Sequence, residues 1–360
     1  MTSAEYILLN GRRFSSEEIA RISKELKIKS DIPGWERELF LFLDEWFAES
    51  DFVLAQTSGS TGTPKLIELS KAMMRKSAAR TIDYFGLKKD DRCLLCLPCR
   101  FIAGKMMVVR AIVGQMELTT VDPSGDFDFL RDQSFDFAAM VPNQLSKILG
   151  RVAGEKELQN IRNLLLGGSS ISNSLGQQLG KLSNRIVLSY GMTETASHIA
   201  VRELSGVHKS NWYHCLRGIT VAINEAACLQ INLPELGEIL QTNDIAKLQS
   251  ETSFQILGRY DFVLISGGIK YSPETIEKKI ETLIDRRFVV SSVPDEKLGE
   301  KLVLVIEGNV FDLEELRKSF SDYLSGYERP KAVLFLEHFP ETSNGKIKRN
   351  EIKEMICQRL

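Results

Sequence analysis

The chain has 360 residues, of which 43% are hydrophobic and 26% charged, and its formal net charge is −2. This composition is typical of a globular protein with one large core or two domains, and the near-neutral charge argues against nucleic acid or an anionic membrane as the main partner. The sequence shows neither an apolar run near the roughly 20 residues of a membrane span nor the start of a signal peptide, so we expect a cytoplasmic protein.

The first fifty residues are predicted to be helical. Ser15-Ser16-Glu17-Glu18 is a capping box that begins a helix ending near Leu26, and residues 35–48 carry apolar side chains at helical spacing. Neither segment carries a pattern that indicates chemistry.

A loop rich in glycine and hydroxyl residues spans residues 56–65, Gln-Thr-Ser-Gly-Ser-Thr-Gly-Thr-Pro-Lys. It follows the apolar run 52–54, predicted to be a buried strand, and precedes a strand at 66–69 and a helix from about Ser70. Glycines let several backbone N–H groups face one anion, and hydroxyls and a lysine add donors and charge. The pattern predicts a polyphosphate loop formed by Thr57, Ser58, Gly59, Ser60, Thr61, Gly62 and Lys65. An ordinary hairpin loop is the alternative. A Walker A loop is disfavoured because Pro64 replaces its second glycine and a strand follows.

Between residues 52 and 189, short apolar runs alternate with helix-length segments. Strands are predicted at 92–97, 117–121, 137–141, 164–166 and 186–188, and helices at 104–113, 143–149 and 172–182. This alternation predicts an α/β domain in which a mostly parallel sheet is layered with helices. Ligands of such sheets bind at the carboxyl ends of the strands.

Cys93, Cys96 and Cys99 have a spacing that superficially suggests a metal knuckle. The first two lie three positions apart in a predicted strand, so their side chains point to opposite faces and cannot share a metal. We expect buried free thiols that pack as small hydrophobic groups.

Three strand ends carry motifs that could bind a ligand: residues 98–104, Gly167-Gly168-Ser169-Ser170, and residues 189–195, Ser-Tyr-Gly-Met-Thr-Glu-Thr. In the last motif, an aromatic ring beside a glycine can lie flat on a purine. Thr193 can donate to a phosphate oxygen, and Glu194 offers a hard oxygen ligand for Mg²⁺. A helix start capped by these two residues is the alternative, but it explains neither Tyr190 nor Gly191.

The last part of the chain combines short polar motifs with a new pattern of elements. Asp244 follows an apolar run, Gly258-Arg259-Tyr260-Asp261 precedes Ser266-Gly267-Gly268, and Lys346 lies in a basic segment near the end. Each of these motifs is weak evidence when taken alone. Helices at 273–284 and 312–323 and strands at 288–290, 302–306 and 332–336 predict a small α+β unit after Asp261.

Taken in order, these motifs resemble those of the adenylate-forming superfamily, which includes acyl-CoA synthetases, luciferases and the adenylation domains of peptide synthetases. The resemblance covers residues 56–346 and implies a large ATP- and acid-binding domain at 1–260. It also implies a small mobile C-terminal domain at 261–360, with Asp261 as the hinge. Only about fifty residues precede the phosphate loop, fewer than the family usually has, so we expect a shortened large domain.

The resemblance assigns roles to individual residues. Besides the phosphate loop, the residues expected to bind ATP are Gly168, Ser169, Tyr190, Gly191, Asp244 and Arg259. The expected catalytic residues are Thr193, Glu194, which is also the magnesium ligand, and Lys346. Gly267 and Gly268 are expected to line the path of coenzyme A. Asn243 stands where the family usually has glycine, and Phe101 where many members carry histidine.

The resemblance implies an ATP-dependent ligase that forms an acyl-adenylate from a carboxylic acid and then transfers the acyl group to a thiol, with ATP, Mg²⁺ and coenzyme A as its small-molecule partners. Residues 190–199 and 102–105, with Arg110, resemble the o-succinylbenzoate–CoA ligases of menaquinone biosynthesis. The candidate acid-binding residues are Arg110, Lys105 and His198, since fixed positive charge suits a dicarboxylic acid. A helix-surface role is the alternative for Arg110.

Three other functions stay open at this stage: another acyl-CoA synthetase, an enzyme that loads a carrier protein, and a non-catalytic nucleotide-binding relative. The joint presence of Thr193, Glu194 and Lys346 disfavours the last of these. A homo-oligomer is compatible with the sequence.

Overall fold

A computed structural model describes residues 6–26, 32–56, 66–169, 171–311, 313–342 and 346–359. Two compact units divide the chain, the first ending at Ile219 and the second beginning at Thr220. Both units combine helices with β-sheets, which confirms the predicted α/β fold class.

The elements of the first unit follow the predicted alternation of strands and helices. Its strands are β1 (Tyr6–Leu9), β2 (Arg12–Ser15), β3 (Phe52–Gln56), β4 (Leu66–Ser70), β5 (Arg92–Leu95), β6 (Glu117–Thr120), β7 (Phe135–Met140), β8 (Ile161–Leu166), β9 (Arg185–Gly191), β10 (His198–Glu203) and β11 (Tyr213–Cys215). Its helices are α1 (Ser16–Leu26), α2 (Gly34–Phe47), α3 (Lys71–Phe85), α4 (Ile102–Gly114), α5 (Pro142–Leu149), α6 (Gly154–Leu158) and α7 (Asn173–Leu179).

The main sheet of the first unit has the strand order β2-β1-β6-β5-β7-β8-β9-β10-β11. The run from β1 to β9 is parallel, and β2, β10 and β11 pair antiparallel with their neighbours. Central strands such as β8 are almost wholly buried, because parallel sheets are covered on both faces. The carboxyl ends of β5, β7, β8 and β9 meet at one edge, and this edge carries the predicted motifs.

The extreme N-terminal part differs from the predicted all-helical start. Residues 6–15 form the antiparallel hairpin β1–β2, and the helices α1 and α2 follow close to their predicted bounds. Asn10 and Gly11 form the two-residue turn with φ of 48° and 75°. Asn-Gly is the dipeptide that such turns favour, because both positions need positive φ. The signal for the hairpin was therefore present in the sequence.

Strands β3 and β4 pair with each other in a separate two-stranded ladder. The strand at 52–54 was predicted to be buried, but Phe52 and Leu54 are about half exposed, whereas Val53 and Ala55 are buried. Successive side chains of a strand alternate faces, and only one face of this ladder is covered. The prediction of the strand is confirmed, and that of its complete burial is wrong.

The three cysteines near the end of β5 are buried and free, as expected. Burial raises the pKa of each of the thiols of Cys93, Cys96 and Cys99 to about 12. Across the described ranges, no group of three or more His, Cys, Asp or Glu side chains is arranged to hold a metal ion. Within the same ranges, no helix has both the length and the apolar character needed to cross a membrane.

The second unit contains an antiparallel sheet followed by a small α+β region. Its strands are β12 (Thr220–Ile223), β13 (Cys228–Asn232), β14 (Ile239–Ser250), β15 (Ser253–Arg259), β16 (Leu264–Ser266), β17 (Ile269–Tyr271), β18 (Phe288–Asp295), β19 (Gly299–Glu307) and β20 (Ala332–Leu336). Its helices are α8 (Pro273–Ile280), α9 (Glu314–Tyr323) and α10 (Arg349–Cys357). β12 to β15 pair in sequence order, β16 pairs with β17, and β18, β19 and β20 form a three-stranded sheet.

The boundary between the two compact units lies 41 positions before the predicted domain boundary, because β12–β15 belong to the second unit rather than to the first. The region after Asp261 nevertheless has two hydrophobic clusters of its own, whose buried members all lie between Leu264 and Ile356. A division by contacts does not report motion, so the hinge at Asp261 stays a prediction.

Candidate active site

The predicted polyphosphate loop connects β3 to β4. Its expected contact residues, Thr57, Ser58, Gly59, Ser60, Thr61, Gly62 and Lys65, lie outside the described residues. On either side of the loop, Gln56 of β3 opposes Leu66 of β4, and α3 begins after β4 with the Ser70 hydroxyl accepting from the Met73 N–H. The two predicted strands and the helix after the second strand are confirmed, and this order differs from that of a Walker A loop, which opens a helix directly.

The glycine pair after β8 forms a turn that needs both glycines. A Cβ at Gly167 would lie 2.7 Å from the Oγ of Ser189, and Gly168 has a φ of 89°, which side-chain-bearing residues rarely adopt. The backbone at this strand end therefore carries no side chain at two consecutive positions, which lets a flat ligand approach it closely. Contact of Gly168 and Ser169 with adenosine stays a prediction.

Gly191 ends β9 where this strand packs tightly on β10. A Cβ at Gly191 would lie 2.4 Å from the Ser197 carbonyl oxygen and 2.5 Å from the His198 Cα. Any side chain there would push the two strands apart, so packing alone requires the glycine. Next to it, the ring of Tyr190 packs against Tyr213, with their centroids 5.8 Å apart.

The threonines and glutamate after β9 form a short 3₁₀ turn, Thr193–Thr195, rather than the start of an α-helix. The buried Thr195 holds this turn together, because its hydroxyl accepts from the Met192 N–H at 3.1 Å and lies 2.7 Å from the Ser197 carbonyl oxygen. Glu194 is exposed and makes no ion pair or hydrogen bond with another residue that the structure describes. Its carboxylate is thus available for a cation or solvent.

Arg110 lies on α4 and is buried, with 2% of its surface exposed, so its alternative role as a helix-surface residue is wrong. Its guanidinium donates from Nε to the Thr81 hydroxyl at 3.1 Å and from Nη2 to the Ser197 hydroxyl at 2.6 Å. Among the described residues, Nη1 reaches only the Met107 sulfur, at 3.7 Å. No carboxylate among the described residues pairs with it. Burial lowers the pKa of Arg110 to about 10, which leaves the group charged at neutral pH.

His198 begins β10 and lies beside Arg110. Its Nδ1 is 3.4 Å from Arg110 Nη2 and 3.1 Å from the Ser197 hydroxyl. Its Nε2 is buried and contacts no hydrogen-bonding group among the described residues. Burial, and secondarily the charge of Arg110, lowers the pKa of His198 well below its usual value, so the ring is neutral. Two of the three predicted acid-binding residues are therefore adjacent.

The third predicted acid-binding residue, Lys105, is engaged elsewhere. Its ammonium lies 3.2 Å from a carboxylate oxygen of Glu45 and donates to the Leu54 carbonyl oxygen at 2.7 Å. The same Glu45 accepts the Leu54 N–H at 2.6 Å. Lys105 therefore ties α4 to α2 and β3. The structure does not bring it together with Arg110 and His198, although it lies only five positions from Arg110.

In the second unit, Asp244 and Arg259 are paired across β14 and β15. Arg259 Nη1 lies 3.2 Å from Asp244 Oδ1, and Nη2 lies 2.6 Å from Asp261 Oδ2. Asp261 also accepts from the Asn243 amide at 2.8 Å. Asn243, which stands where the family usually has glycine, lies inside β14. The expected ribose ligands and the expected hinge residue thus share one network.

Lys346 is hydrogen-bonded to Thr342, whose backbone N–H donates to the Lys346 carbonyl oxygen at 2.8 Å. Burial, and then the charge of Arg259, lowers the pKa of the Lys346 ammonium, while Asp244 opposes this shift. Three residues later, Arg349 forms a two-bond ion pair with Glu277. The predicted adenylation lysine is therefore electrostatically coupled to the predicted ribose ligands.

The glycines of the Ser266-Gly267-Gly268 motif were expected to line the path of coenzyme A. Only Ser266 belongs to a strand, and the glycines form the two-residue turn between β16 and β17, with φ of 57° and 80°. Two consecutive positive φ values require glycine or asparagine, which explains the pair. Their contact with coenzyme A stays a prediction.

Two residues that the sequence analysis missed support this geometry. Thr195 holds the turn that presents Thr193 and Glu194, and Ser197 links Arg110 to His198. Thr195 lies in the motif at residues 189–195 and Ser197 in the segment 190–199 named with it, so the hydroxyl residues of this stretch were the available signal. The backbone at Ala196 between them has a φ of 59°, an uncommon conformation for a residue with a side chain.

Comparison with known proteins finds relatives among acid–CoA ligases, both by sequence and by structure. A curated 2-succinylbenzoate–CoA ligase of Lactococcus lactis is 26% identical over 390 aligned positions, which cover 98% of this chain and 85% of the relative. Among solved structures, o-succinylbenzoate CoA synthetase of Bacillus subtilis, in complex with an acyl-adenylate intermediate, matches with a TM-score of 0.77 and 18% identity. The match covers 98% of this chain and 96% of that one, and it supports the fold alone.

Two further matches bear on the family. The structure of an acyl-CoA synthetase (AMP-forming)/AMP-acid ligase II-like protein of Dyadobacter fermentans is 34% identical, with a TM-score of 0.60, and the match covers 93% of this chain and 98% of that chain. The model of the AMP-binding enzyme family matches residues 15–238, more than half of the chain. These matches confirm the resemblance inferred from the motifs: the chain belongs to the family of AMP-binding enzymes.

Proposed function

We propose that this protein is an ATP-dependent ligase that joins o-succinylbenzoate to coenzyme A through an acyl-adenylate. Family membership and the full-length similarity to 2-succinylbenzoate–CoA ligases support the reaction class and the acid. The observation that carries the choice of a dicarboxylic acid is Arg110, a buried guanidinium without a carboxylate partner among the described residues. A buried charge is costly unless an opposite charge reaches it.

In the first half-reaction, a carboxylate oxygen of the acid attacks the α-phosphorus of ATP. The bond between this phosphorus and the β-phosphate oxygen breaks, and pyrophosphate leaves. The protein supplies position and positive charge rather than covalent chemistry. Lys346 contacts the acid and the α-phosphate, Thr193 donates to a phosphate oxygen, and the loop around Lys65 holds the leaving phosphates.

The nucleotide is held by the remaining predicted ATP ligands. Asp244 and Arg259 bind the ribose, while Tyr190, Gly191, Gly168 and Ser169 bind the adenosine. Support comes from the pairing of the first two residues on β14 and β15 and from the glycine-lined strand ends.

Magnesium fits this donor set. Glu194 is exposed and unpaired among the described residues, and no protein cage of three or more His, Cys, Asp or Glu side chains is formed there. Mg²⁺ is usually held by one or two carboxylates together with substrate phosphates, which is the arrangement available here. When bound, the ion lowers the negative charge of the phosphate oxygens.

In the second half-reaction, the thiol of coenzyme A releases its proton to solvent, and its sulfur attacks the acyl carbon of the adenylate. The bond between this carbon and the phosphate oxygen breaks, and AMP leaves. A small domain at 261–360 turns about Asp261 between the two steps, withdrawing Lys346 and presenting Gly267 and Gly268. The separate hydrophobic clusters after Leu264 support this division.

Arg110 and His198 hold the carboxylate of o-succinylbenzoate that does not react, and Lys105 does not take part because Glu45 already pairs with it. We further propose that the enzyme acts in the cytoplasm. A homo-oligomer is compatible with this function, and a mass measurement in solution decides that point.

A pyrophosphate-release assay across carboxylic acids, each with and without coenzyme A, tests the proposal. We expect o-succinylbenzoate to give the highest kcat/KM, with coenzyme A consumed in equal amount. Fast turnover of other acids but not of this one would assign the chain to another acyl-CoA synthetase. Release of pyrophosphate without consumption of coenzyme A would point to an enzyme that loads a carrier protein. No release with any acid would leave a nucleotide-binding protein.

A further inference from the structure

The two nitrogens of the His198 ring have opposite surroundings. Nδ1 faces Arg110 Nη2 at 3.4 Å and the Ser197 hydroxyl at 3.1 Å. Nε2 is buried and contacts no donor or acceptor among the described residues, and only 6% of His198 is exposed. A buried polar atom normally has a partner, so the orphaned nitrogen indicates a binding role.

The contacts at Nδ1 determine where the ring proton resides. A guanidinium nitrogen can only donate, so the nitrogen facing Arg110 must accept. Ser197 fits the same arrangement, because its oxygen accepts from Arg110 at 2.6 Å and its own proton is free to be donated to Nδ1. A neutral imidazole carries one proton, so that proton is on Nε2. The low pKa of His198 supports the neutral ring.

The chemistry of the partner follows from both groups together. An N–H buried without an acceptor is costly, and Arg110 beside it is a positive charge without a carboxylate among the described residues. A neutral carbonyl would satisfy the N–H alone, and a metal cation would satisfy neither group. A carboxylate provides acceptor oxygens and the missing negative charge.

We propose that the Nε2–H of His198 donates a hydrogen bond to the non-reacting carboxylate of a dicarboxylic substrate, with Arg110 supplying the charge and Ser197 fixing the ring. This inference rests on the proposed function. It makes His198 a specificity-determining residue that distinguishes a dicarboxylic acid from a monocarboxylic acid of the same skeleton.

Two substitutions separate the two sides of the ring. In His198→Gln, the amide nitrogen lies near the position of Nε2 and keeps a donor for the substrate. In His198→Asn, the shorter amide keeps an acceptor near the position of Nδ1 for Arg110 but cannot reach the substrate. The substrates compared are o-succinylbenzoate and 4-oxo-4-phenylbutanoate, which lacks the ring carboxylate.

We expect His198→Asn to lower kcat/KM for o-succinylbenzoate by about 10- to 100-fold, mainly through KM, and to change the monocarboxylate value by less than about 3-fold. His198→Gln should keep o-succinylbenzoate within about 5-fold of the unmodified enzyme. The reverse order, with Asn near normal and Gln impaired, would show that the ring serves only Arg110. Equal losses for both acids in both variants would assign His198 to the fold. If the unmodified enzyme does not use o-succinylbenzoate, both the proposed function and this inference are wrong.

Nitrogen-15 NMR of the unmodified protein gives a readout that does not depend on activity. The chain contains four histidines, so the spectrum is simple, and the His198 signals are those lost in His198→Gln. We expect a protonated Nε2, an unprotonated Nδ1, and a downfield shift of the Nε2 proton on addition of o-succinylbenzoate. A protonated Nδ1 would overturn the inference.

Discussion

Replacing Arg110 by methionine should weaken substrate binding while leaving the stability of the fold nearly unchanged. Methionine matches the aliphatic part of the arginine side chain and carries no charge, so it fills part of the space while removing the guanidinium. We expect kcat/KM for o-succinylbenzoate to fall, because a buried carboxylate that loses its charged partner costs about 2–5 kcal/mol. This range corresponds to a loss on the order of 30- to several-thousand-fold.

The fold should tolerate the same change. Thr81 keeps its hydrogen bond to the Ser77 carbonyl oxygen at 3.1 Å, and Ser197 keeps its contact with His198. The substitution also removes a buried charge without a carboxylate among the described residues, and replacing such charges by apolar groups is often neutral or stabilising. We therefore expect the free energy of unfolding to change by less than about 2 kcal/mol in either direction.

The assay is steady-state pyrophosphate release with o-succinylbenzoate and with 4-oxo-4-phenylbutanoate, together with urea unfolding of each variant. Arg12→Met is the matched control, because Arg12 is an exposed arginine whose only ion pair in the described chain is with Glu18. We expect Arg12→Met to leave kcat/KM for both acids and the KM for ATP unchanged. If Arg110→Met lowers kcat/KM by the same factor for both acids, or lowers the free energy of unfolding in proportion to the loss of activity, then Arg110 supports the fold. Either result would refute a role for its charge in binding the substrate.

Three further expectations address the other groups. Lys346→Ala should abolish adenylate formation while thioester formation from pre-made acyl-adenylate continues. Equal loss of both half-reactions in this variant would show that Lys346 has a structural role. In the unmodified enzyme, adenylation needs the protonated lysine. Because the pKa of Lys346 is lowered, the adenylation rate should fall with rising pH at a lower pH than it would for an ordinary lysine. Asp261→Pro should keep pyrophosphate release and lose thioester formation, because proline fixes φ. Asp261→Ala removes the same side-chain contacts without fixing φ, and similar defects in both variants would argue against a hinge. Lys105→Met should lower the free energy of unfolding in urea by about 1–3 kcal/mol, because Glu45 loses its partner. The ratio of kcat/KM values for the two acids should stay unchanged. A changed ratio would show that Lys105 contacts the acid.

The central sheet could be predicted from the sequence because its strands are short apolar runs separated by helices of ordinary length. Strands such as β8 are buried along most of their length, which makes their pattern strong. β12 has no such pattern: Thr220–Ile223 has one buried residue and two exposed ones. Edge and antiparallel strands of this kind depend on their neighbours, so the local sequence predicts few elements between residues 198 and 238.

The hairpin at the N-terminus was missed for a different reason. Its strands have only four residues each, and the capping box that begins at Ser15 favours a helix in this part of the sequence. Asn10-Gly11 was a specific turn signal between two segments of strand length. The pairing of β1 with β6, more than a hundred residues later, could not be read from local pattern.

Arg110 and Lys105 show why motifs predicted the site segments but not the partners of each side chain. Both are basic residues in one helix, both are buried, and the sequence indicated the same role for both. Five positions correspond to about 500° of helical rotation, so the two side chains leave the helix in directions roughly 140° apart. One meets Glu45, whose carboxylate neutralises it, and the other meets hydroxyls and a neutral imidazole, which solvate a charge without cancelling it. A buried cation that is hydrogen-bonded but not neutralised within the described protein is the one that can still bind an anion. The difference between a structural lysine and a substrate-binding arginine therefore lies in the identity of their partners, and three-dimensional packing alone supplies those partners.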